Sequence, residues 1–271
     1  MVREGKWTMD VLKEHCKDIT KDLNGDTVLD HNDQWGLLAS NNAGIGLITS
    51  CGMKVAENTD DSLTLTIGTN KSISTLSAIR DFLSDRTMSL RAEDIKSSKD
   101  IWVEILNIFR EGRALYRISL LSDIAGFRDV NFDFGIIPMP KLDENQENYV
   151  TTYQGWSAKC VVVPKTVSDA NRTSAILEYM ASVSTDTLLN AYYDITLQRN
   201  AARDNDSAEM LDIIFENVTT DTTLALELGG IREKLSKMIN SKSDTITSDI
   251  AKYKDKIQEQ LDKFYDQVAS N

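Results

Sequence analysis

Oxygen-bearing side chains occur in residues 22–33 with the spacing of a calcium-binding loop. Ligands in such loops stand at positions one, three, five, seven, nine and twelve, and position seven contributes its backbone carbonyl. The residues at those positions here are Asp22, Asn24, Asp26, Val28, Asp30 and Asp33. Because a hard cation takes about six to eight oxygen ligands, this set predicts a structural Ca²⁺ site.

Two positions of this loop depart from the calcium pattern. Thr27 stands where a glycine permits the sharp turn, and Asp33 is shorter than the glutamate that binds through both oxygens. Both changes weaken the predicted site toward the range of about 10⁻⁴–10⁻³ M found in extracellular modules. The alternative is an acidic turn without a metal, because Asp and Asn favour turns by themselves.

The sequence shows no catalytic constellation. The histidines, His15 and His31, are too few for a typical zinc site, and a Gly-x-Ser-x-Gly motif is absent. The cysteines, Cys16, Cys51 and Cys160, lack both metal-ligand spacing and a disulfide pattern, which predicts buried free thiols. Carboxylates are abundant, but the sequence contains no pattern that would place two of them on either side of a glycosidic bond, as a glycosidase requires. We therefore expect a binding protein without a cofactor other than calcium, and not an enzyme.

The composition is that of a globular chain with an acidic surface. The 271 residues are 41% hydrophobic, and 42 acidic against 30 basic side chains give a net charge of −12. An acidic surface repels phosphate backbones, so we expect no nucleic-acid partner. No apolar run approaches the roughly 20 residues that span a bilayer, and the first residues lack the apolar region of a signal peptide.

Helices that alternate with short single strands are predicted along the chain. Thr8 is placed to cap a first helix, and apolar residues recur at helical spacing from Ile101 to Phe109, with Gly112 just past the end. Further helices are predicted near residues 73–83, 168–183, 188–193, 206–214 and 246–268, and strands near 63–67, 113–121, 132–137 and 160–163. This alternation favours α/β layers.

The order of several motifs is informative. Gly5-Lys6-Trp7-Thr8 looks like a G-x-W-T helix entry, and residues 21–36 look like a calcium-type insertion. Residues 109–115 and 132–146 look like a crossing between two lobes, and residues 191–194 and 203–212 like helices that close a fold. Over nearly the whole chain this order resembles the family 1 extracellular solute-binding proteins of ABC importers, the maltose-binding-like group, and above all the sugar-binding lipoproteins of gut Firmicutes.

This resemblance implies an α/β, helix-rich periplasmic-binding-protein type II fold with two lobes. Residues 1–136 then form the second, C-terminal lobe, with the calcium-like loop 22–33. Residues 137–200 form the hinge crossing and part of the first, N-terminal lobe, and residues 201–271 form closing helices packed on the second lobe. Family members carry more chain before the G-x-W-T helix, so the resemblance implies an N-terminally truncated chain without its signal and lipid-attachment segment.

The function implied by the resemblance is that of the substrate-binding component of an ABC transporter. Such a protein binds a carbohydrate, here an oligosaccharide, in the cleft between the lobes and delivers it to the membrane subunits of a permease. The full-length protein would be extracellular, lipid-anchored at the cell surface and monomeric. The alternative is a calcium-clipped cell-surface interaction module without a transport role.

The resemblance also implies which loops face the cleft. Sugars present flat apolar faces ringed by hydroxyls, so a sugar site needs aromatic rings and polar side chains together. The residues implied to bind ligand are Trp156, Tyr153, Trp35, Asn41, Asn42, Ser122 and Asp123. Ser122 stands where maltose-binding relatives carry an aromatic residue. Trp7 and Trp102 lie on apolar helix faces and are predicted to be core residues.

Overall fold

A three-stranded parallel sheet and the helices packed on it form the centre of the fold. The computed structural model describes residues 1–59, 62–96, 99–127, 129–153, 161–192 and 205–269. Within them the helices are α1 Met9–Cys16, α2 Asn41–Ser50, α3 Asn70–Ser84, α4 Ile101–Arg110, α5 Ala170–Ser184, α6 Asn205–Glu216, α7 Thr222–Ala225, α8 Ile231–Ile239 and α9 Ile246–Ala269. The strands are β1 Trp35–Ala39, β2 Ala56–Thr59, β3 Ser62–Leu65, β4 Ser89–Arg91, β5 Ala114–Arg117, β6 Thr151–Thr152 and β7 Val218–Thr219.

Strand β1 is the middle strand of the parallel sheet, whose order is β4-β1-β5. All five residues of β1 are buried, as expected for a strand covered on both faces. Leu37 and Ala39 belong to the larger core cluster, and Leu38 belongs to a second cluster with residues of β4 and α4. Leu38 is in register with Arg117 of β5, so the segments that follow β1 and β5 meet at one edge of the sheet.

The larger core joins residues from both ends of the chain. Helices α1, α2 and α3 contribute to it, and so do α8 and α9 near the C-terminus. Helix α9 buries Ile246, Ile250, Ile257 and Leu261 against the rest of the same chain. Its apolar stripe therefore packs on its own domain and is not the seam of a coiled coil.

Several predicted helix ends are confirmed. The Thr8 hydroxyl caps α1 by accepting the Val11 N–H at 3.4 Å, and Asp169 caps α5. Helix α4 ends at Arg110, and Gly112 follows with a φ of 72°, a left-handed conformation that glycine adopts without strain. The predicted thiols are also confirmed at Cys16 and Cys51, which are buried and unpaired. Burial raises the pKa of each thiol to about 12.

Two of the predicted strands are wrong. Residues 132–137 form no strand, and the Ile136 N–H donates to the Ser207 hydroxyl at 2.9 Å instead of to a strand partner. Residues 161–163 form no strand either, and Val161 and Val162 are 76% and 86% exposed. Their composition favours a buried strand, but none of the described segments covers them. Cys160, predicted within the same strand, lies outside the described residues.

The segment 161–192 differs from the rest of the described chain. Helix α5 has no buried residue, and none of the described apolar residues between 150 and 209 belongs to a core cluster. Large apolar side chains are exposed along the whole segment: Val161, Val162, Val163, Ile176, Tyr179, Met180, Val183, Leu188, Leu189 and Tyr192. Among the residues described, no helix is both long and apolar enough to cross a bilayer.

Candidate functional site

A cavity of about 630 Å³ opens at the carboxyl edge of the parallel sheet. We call it the edge pocket. Its lining comes from the end of β1 and the start of α2, from one side of α4, and from the end of β5 with the residues that follow it. The lining residues are Leu38, Ala39, Ser40, Asn42, Ala43, Trp102, Val103, Ile105, Leu106, Arg117, Ile118, Ser119, Leu120, Ser122, Asp123 and Gly126. Ligands of open α/β sheets bind outside the carboxyl ends of the strands, so this position marks the pocket as the candidate site.

The apolar wall of the edge pocket comes from α4. Trp102 and Val103 line it and remain 52% and 50% exposed. The prediction that Trp102 is a core residue is therefore wrong. Ile105 and Ile108 are the buried residues of α4, whereas Trp102 is half-exposed at the pocket. The sequence does indicate that α4 exposes apolar side chains. Its apolar residues cover more of the helix surface than the one stripe that packs on the core.

Three polar side chains form the floor of the edge pocket. Arg117 donates to the Ser119 hydroxyl at 2.6 Å and to an Asp123 carboxylate oxygen at 3.2 Å. Ser119 donates to the same carboxylate oxygen at 2.5 Å. The Arg117 side chain is only 11% exposed, and its guanidinium carbon lies 5.3 Å from the ring centre of Phe127. Burial lowers the pKa of Arg117, and the charge of Asp123 opposes that shift.

The N-terminus of α2 forms another part of the wall. The Ser40 hydroxyl accepts the Ala43 N–H at 3.3 Å and caps the helix. Both carboxylate oxygens of Glu93 accept the Asn41 N–H at 3.0 Å, so a negative charge already lies at the positive end of the helix dipole. Asn42 lines the pocket next to them.

The structure brings together only part of the predicted ligand set. Asn42, Ser122 and Asp123 all line the edge pocket, whereas Asn41 does not. Tyr153 is 56% exposed but does not line the pocket, and Trp156 lies outside the described residues. The residues that the sequence did not single out are Trp102, Arg117 and Ser119.

Trp35 is enclosed in the second core cluster with no exposed surface. Its indole N–H donates to the Asp30 carbonyl at 2.9 Å, and the Arg86 guanidinium lies 4.7 Å above its ring. In this structure Trp35 therefore anchors the end of the acidic loop and does not reach the edge pocket.

The carboxylates of loop 22–33 bond to the backbone of the loop itself. Asp22 accepts the N–H groups of Gly25 at 2.7 Å and Thr27 at 2.8 Å. Asp33 is fully buried and accepts the N–H groups of Leu23 and Asp30. Within the described part of the chain, no three His, Cys, Asp or Glu side chains are grouped to hold a metal. The calcium site stays a prediction.

Calcium binding by this loop is tested by thermal melting. At about ten times the dissociation constant, Ca²⁺ should stabilise the folded chain by about 1.4 kcal/mol, which corresponds to roughly 2–3 °C. Mg²⁺ should act more weakly because it requires near-ideal octahedral geometry. Equal midpoints in millimolar Ca²⁺ and in chelator, or an equal shift in Asp26→Asn, would identify the loop as a turn without a metal.

Backbone strain at Thr27 gives a separate prediction. Thr27 has a φ of 67°, in the left-handed region that disfavours a β-branched side chain. In Thr27→Gly we expect a free energy of unfolding about 0.5–1 kcal/mol above wild type, because relief of strain exceeds the added entropy of the unfolded chain. Thr27→Ala, which keeps much of the strain, is the control. Urea denaturation without calcium measures both variants, and a less stable glycine variant would contradict the strain.

The structure is similar to solved two-lobed binding proteins. The maltose/maltodextrin-binding domain MalE from Bdellovibrio bacteriovorus, bound to maltotriose, superposes with a TM-score of 0.58 at 15% identity, over 94% of this chain and 67% of that one. The substrate-binding protein Lmo0181 from Listeria monocytogenes, in complex with cycloalternan, gives 0.57 at 13% identity, over 94% and 64%. UgpB from Mycobacterium tuberculosis, in complex with glycerophosphocholine, gives 0.51 at 18% identity, over 85% and 59%.

The fold is that of the two-lobed periplasmic-binding proteins. The predicted fold class is thereby confirmed. The chain spans about two thirds of the length of the solved structures it resembles. The first two of these neighbours are binding proteins. No protein-family model matches the sequence, and no match is found among curated proteins. Ligand sites of open α/β folds commonly lie at the carboxyl edge of the sheet and at domain interfaces, and the edge pocket lies at that edge of the sheet.

Proposed function

We propose that this chain is the carbohydrate-binding component of an ABC importer and that the edge pocket holds one face of the sugar. The observation that carries the proposal is the half-exposed Trp102 beside Asn42, Ser122 and the Arg117 cluster, at the carboxyl edge of parallel strands. An indole stacks on the apolar face of a sugar ring, and the amide, hydroxyls and charged groups pair with its hydroxyls.

The size of the pocket supports this assignment. Its 630 Å³ lies within the range of about 300–1,000 Å³ that is usual for small-molecule sites. Its mixture of apolar wall and few polar groups is also typical of such sites. Several of the structural neighbours were solved with oligosaccharides, among them maltotriose and cycloalternan.

The remainder of the cleft is proposed to come from a first lobe that this chain holds only in part. The exposed apolar side chains of residues 161–192 form a surface that isolated domains normally cover. We propose that further polypeptide of the first lobe packs on it, and that residues 134–138 are one hinge segment. Tyr153 and Trp156 stay proposed ligand contacts on the basis of the sequence. We further propose that the full-length protein is a monomer anchored by lipid outside the cell and delivers its sugar to permease subunits.

A fluorescence titration tests the proposed function. Trp102 is the half-exposed indole of the pocket, whereas Trp7 and Trp35 are buried, so ligand stacking should change the emission of the protein. The panel contains maltotriose, cellotriose, xylotriose and a cyclic glucan. A saturable change with one class of saccharide, without hydrolysis of that saccharide, supports a receptor. No change with any saccharide at millimolar concentration would overturn the carbohydrate assignment.

A further inference from the structure

We propose that Asp123 and Glu93 make the edge pocket selective for uncharged ligands, because each neutralises a group that would otherwise bind an anion. The inference rests on the proposed function for the choice of pocket and deepens it by naming the charge class of the ligand. The fold alone does not fix that class, since a structural neighbour was solved with glycerophosphocholine, which carries a phosphate.

Arg117 is the first of the two anion-binding groups. A guanidinium fork that is held in a pocket is a common means of binding phosphate or carboxylate. Here the fork is 89% buried and both of its terminal nitrogens are engaged, one by Ser119 at 2.6 Å and one by Asp123 at 3.2 Å. Each terminal nitrogen of the fork carries a second N–H, so an anion that pairs with Arg117 has to lie next to the negative charge of Asp123.

The N-terminus of α2 is the second anion-binding group. Free N–H groups and the dipole at a helix N-terminus attract phosphates and carboxylates. In this protein the Glu93 carboxylate accepts the Asn41 N–H through both oxygens at 3.0 Å, and Ser40 accepts the Ala43 N–H. Ser40 and Ala43 both line the pocket, so the helix end that faces the ligand is already neutralised by the chain itself.

The charge balance of the lining points in the same direction. Among the described residues that line the pocket, Arg117 and Asp123 are the two that carry charge, and they are paired with each other. The lining is thus neutral in sum, and its remaining polar groups, Ser40, Asn42, Ser119 and Ser122, can donate or accept hydrogen bonds. Such a lining matches hydroxyl groups and offers no unpaired cation to a phosphate or a uronate.

Isosteric removal of each carboxylate charge tests the inference. We compare wild type with Asp123→Asn and Glu93→Gln by titration calorimetry at low salt, using inorganic phosphate and glucose 1-phosphate as anionic probes and maltotriose as the uncharged probe. We expect wild type to bind neither anion detectably. Asp123→Asn should bind glucose 1-phosphate at least about tenfold more tightly than wild type, because removal of the carboxylate frees Arg117 and removes a like charge. Glu93→Gln should show a smaller gain.

The control variant Arg117→Gln/Asp123→Asn should lose the gain, and added salt should weaken anion binding to the single variants. Melting curves show whether each variant is folded. If only one of the two single variants folds, that variant decides the outcome. Anion binding by wild type at the strength of the variants, or no gain in either folded variant, would overturn the inference. A gain in anion binding, with no binding of any saccharide of the fluorescence panel, would support the electrostatic inference and count against the carbohydrate assignment.

Discussion

Replacement of Trp102 with alanine is expected to weaken saccharide binding by roughly thirtyfold, or about 2 kcal/mol, as for other aromatic anchors of binding sites. The same variant should keep a free energy of unfolding within about 1 kcal/mol of wild type, since mutations of exposed side chains have small effects on stability. The reason is that Trp102 is 52% exposed and lines the pocket, while Ile105 and Ile108 of the same helix supply its buried contacts.

Trp102→Phe is the matched control, because a phenyl ring keeps an apolar stacking face of smaller area. It should retain most of the affinity that alanine loses. Fluorescence is unsuitable for variants that lose an indole, so titration calorimetry measures the affinity and circular dichroism measures the stability. If Trp102→Ala bound saccharide as tightly as wild type, the sugar would not stack on Trp102 and the edge pocket would lose its main support.

The second large effect is expected at Trp7, on the stability of the chain. Trp7 is 4% exposed, and its indole N–H donates to the Pro138 carbonyl at 2.9 Å. The backbone of Trp7 bonds to the same part of the chain. The Trp7 N–H donates to the Tyr149 hydroxyl, and the Trp7 carbonyl accepts the Lys141 N–H. We call these contacts between Trp7 and residues 138–149 the Trp7 junction. Trp7→Ala should lower the free energy of unfolding by about 3–5 kcal/mol through the cavity and the lost contacts.

Trp7→Phe separates packing from hydrogen bonding. The phenyl ring fills most of the space, but the Pro138 carbonyl loses the indole donor, so we expect a loss of about 1–3 kcal/mol. Urea denaturation followed by circular dichroism measures both variants. A loss in Trp7→Ala no larger than in Trp7→Phe would show that Trp7 contributes mainly its hydrogen bond. Unchanged denaturation midpoints in both variants would contradict a stabilising role for the contacts of Trp7 with residues 138–149.

The local features of the fold could be read from the sequence because they depend on neighbouring residues. Thr8 before an apolar repeat and Gly112 after one gave the ends of α1 and α4, since capping involves groups within a single turn. The three-four spacing of apolar residues similarly gave α9, because one buried stripe suffices to define a helix.

Long-range features were harder to predict. The valines at 161–163 have the composition of a buried strand, but burial depends on what covers them, and their own residues do not determine that. Asp206 and Glu209 have the spacing of a capping box, yet both carboxylates pair with Arg3 from the other end of the chain. Such pairings follow from tertiary packing and leave no local signal.

The candidate site was predicted in part for the same reason. Asn42, Ser122 and Asp123 were placed in cleft loops by the resemblance, and the structure brings them into one pocket. Trp102 was assigned to the core because an apolar residue on an apolar helix is normally buried. Arg117 and Ser119 could not be assigned to the site from the sequence, because they lie beside Asp123 at the sheet edge only through the pairing of β5 with β1.

Hydrogen exchange, with and without the saccharide that gives the strongest fluorescence response, shows whether the edge pocket binds carbohydrate. Ligand contacts slow exchange where they stabilise the local structure. If the edge pocket holds the sugar, we expect slower exchange in residues 38–43, 102–106 and 117–126, with little change in α9. Protection confined to other segments, or no protection at saturating saccharide, would contradict it.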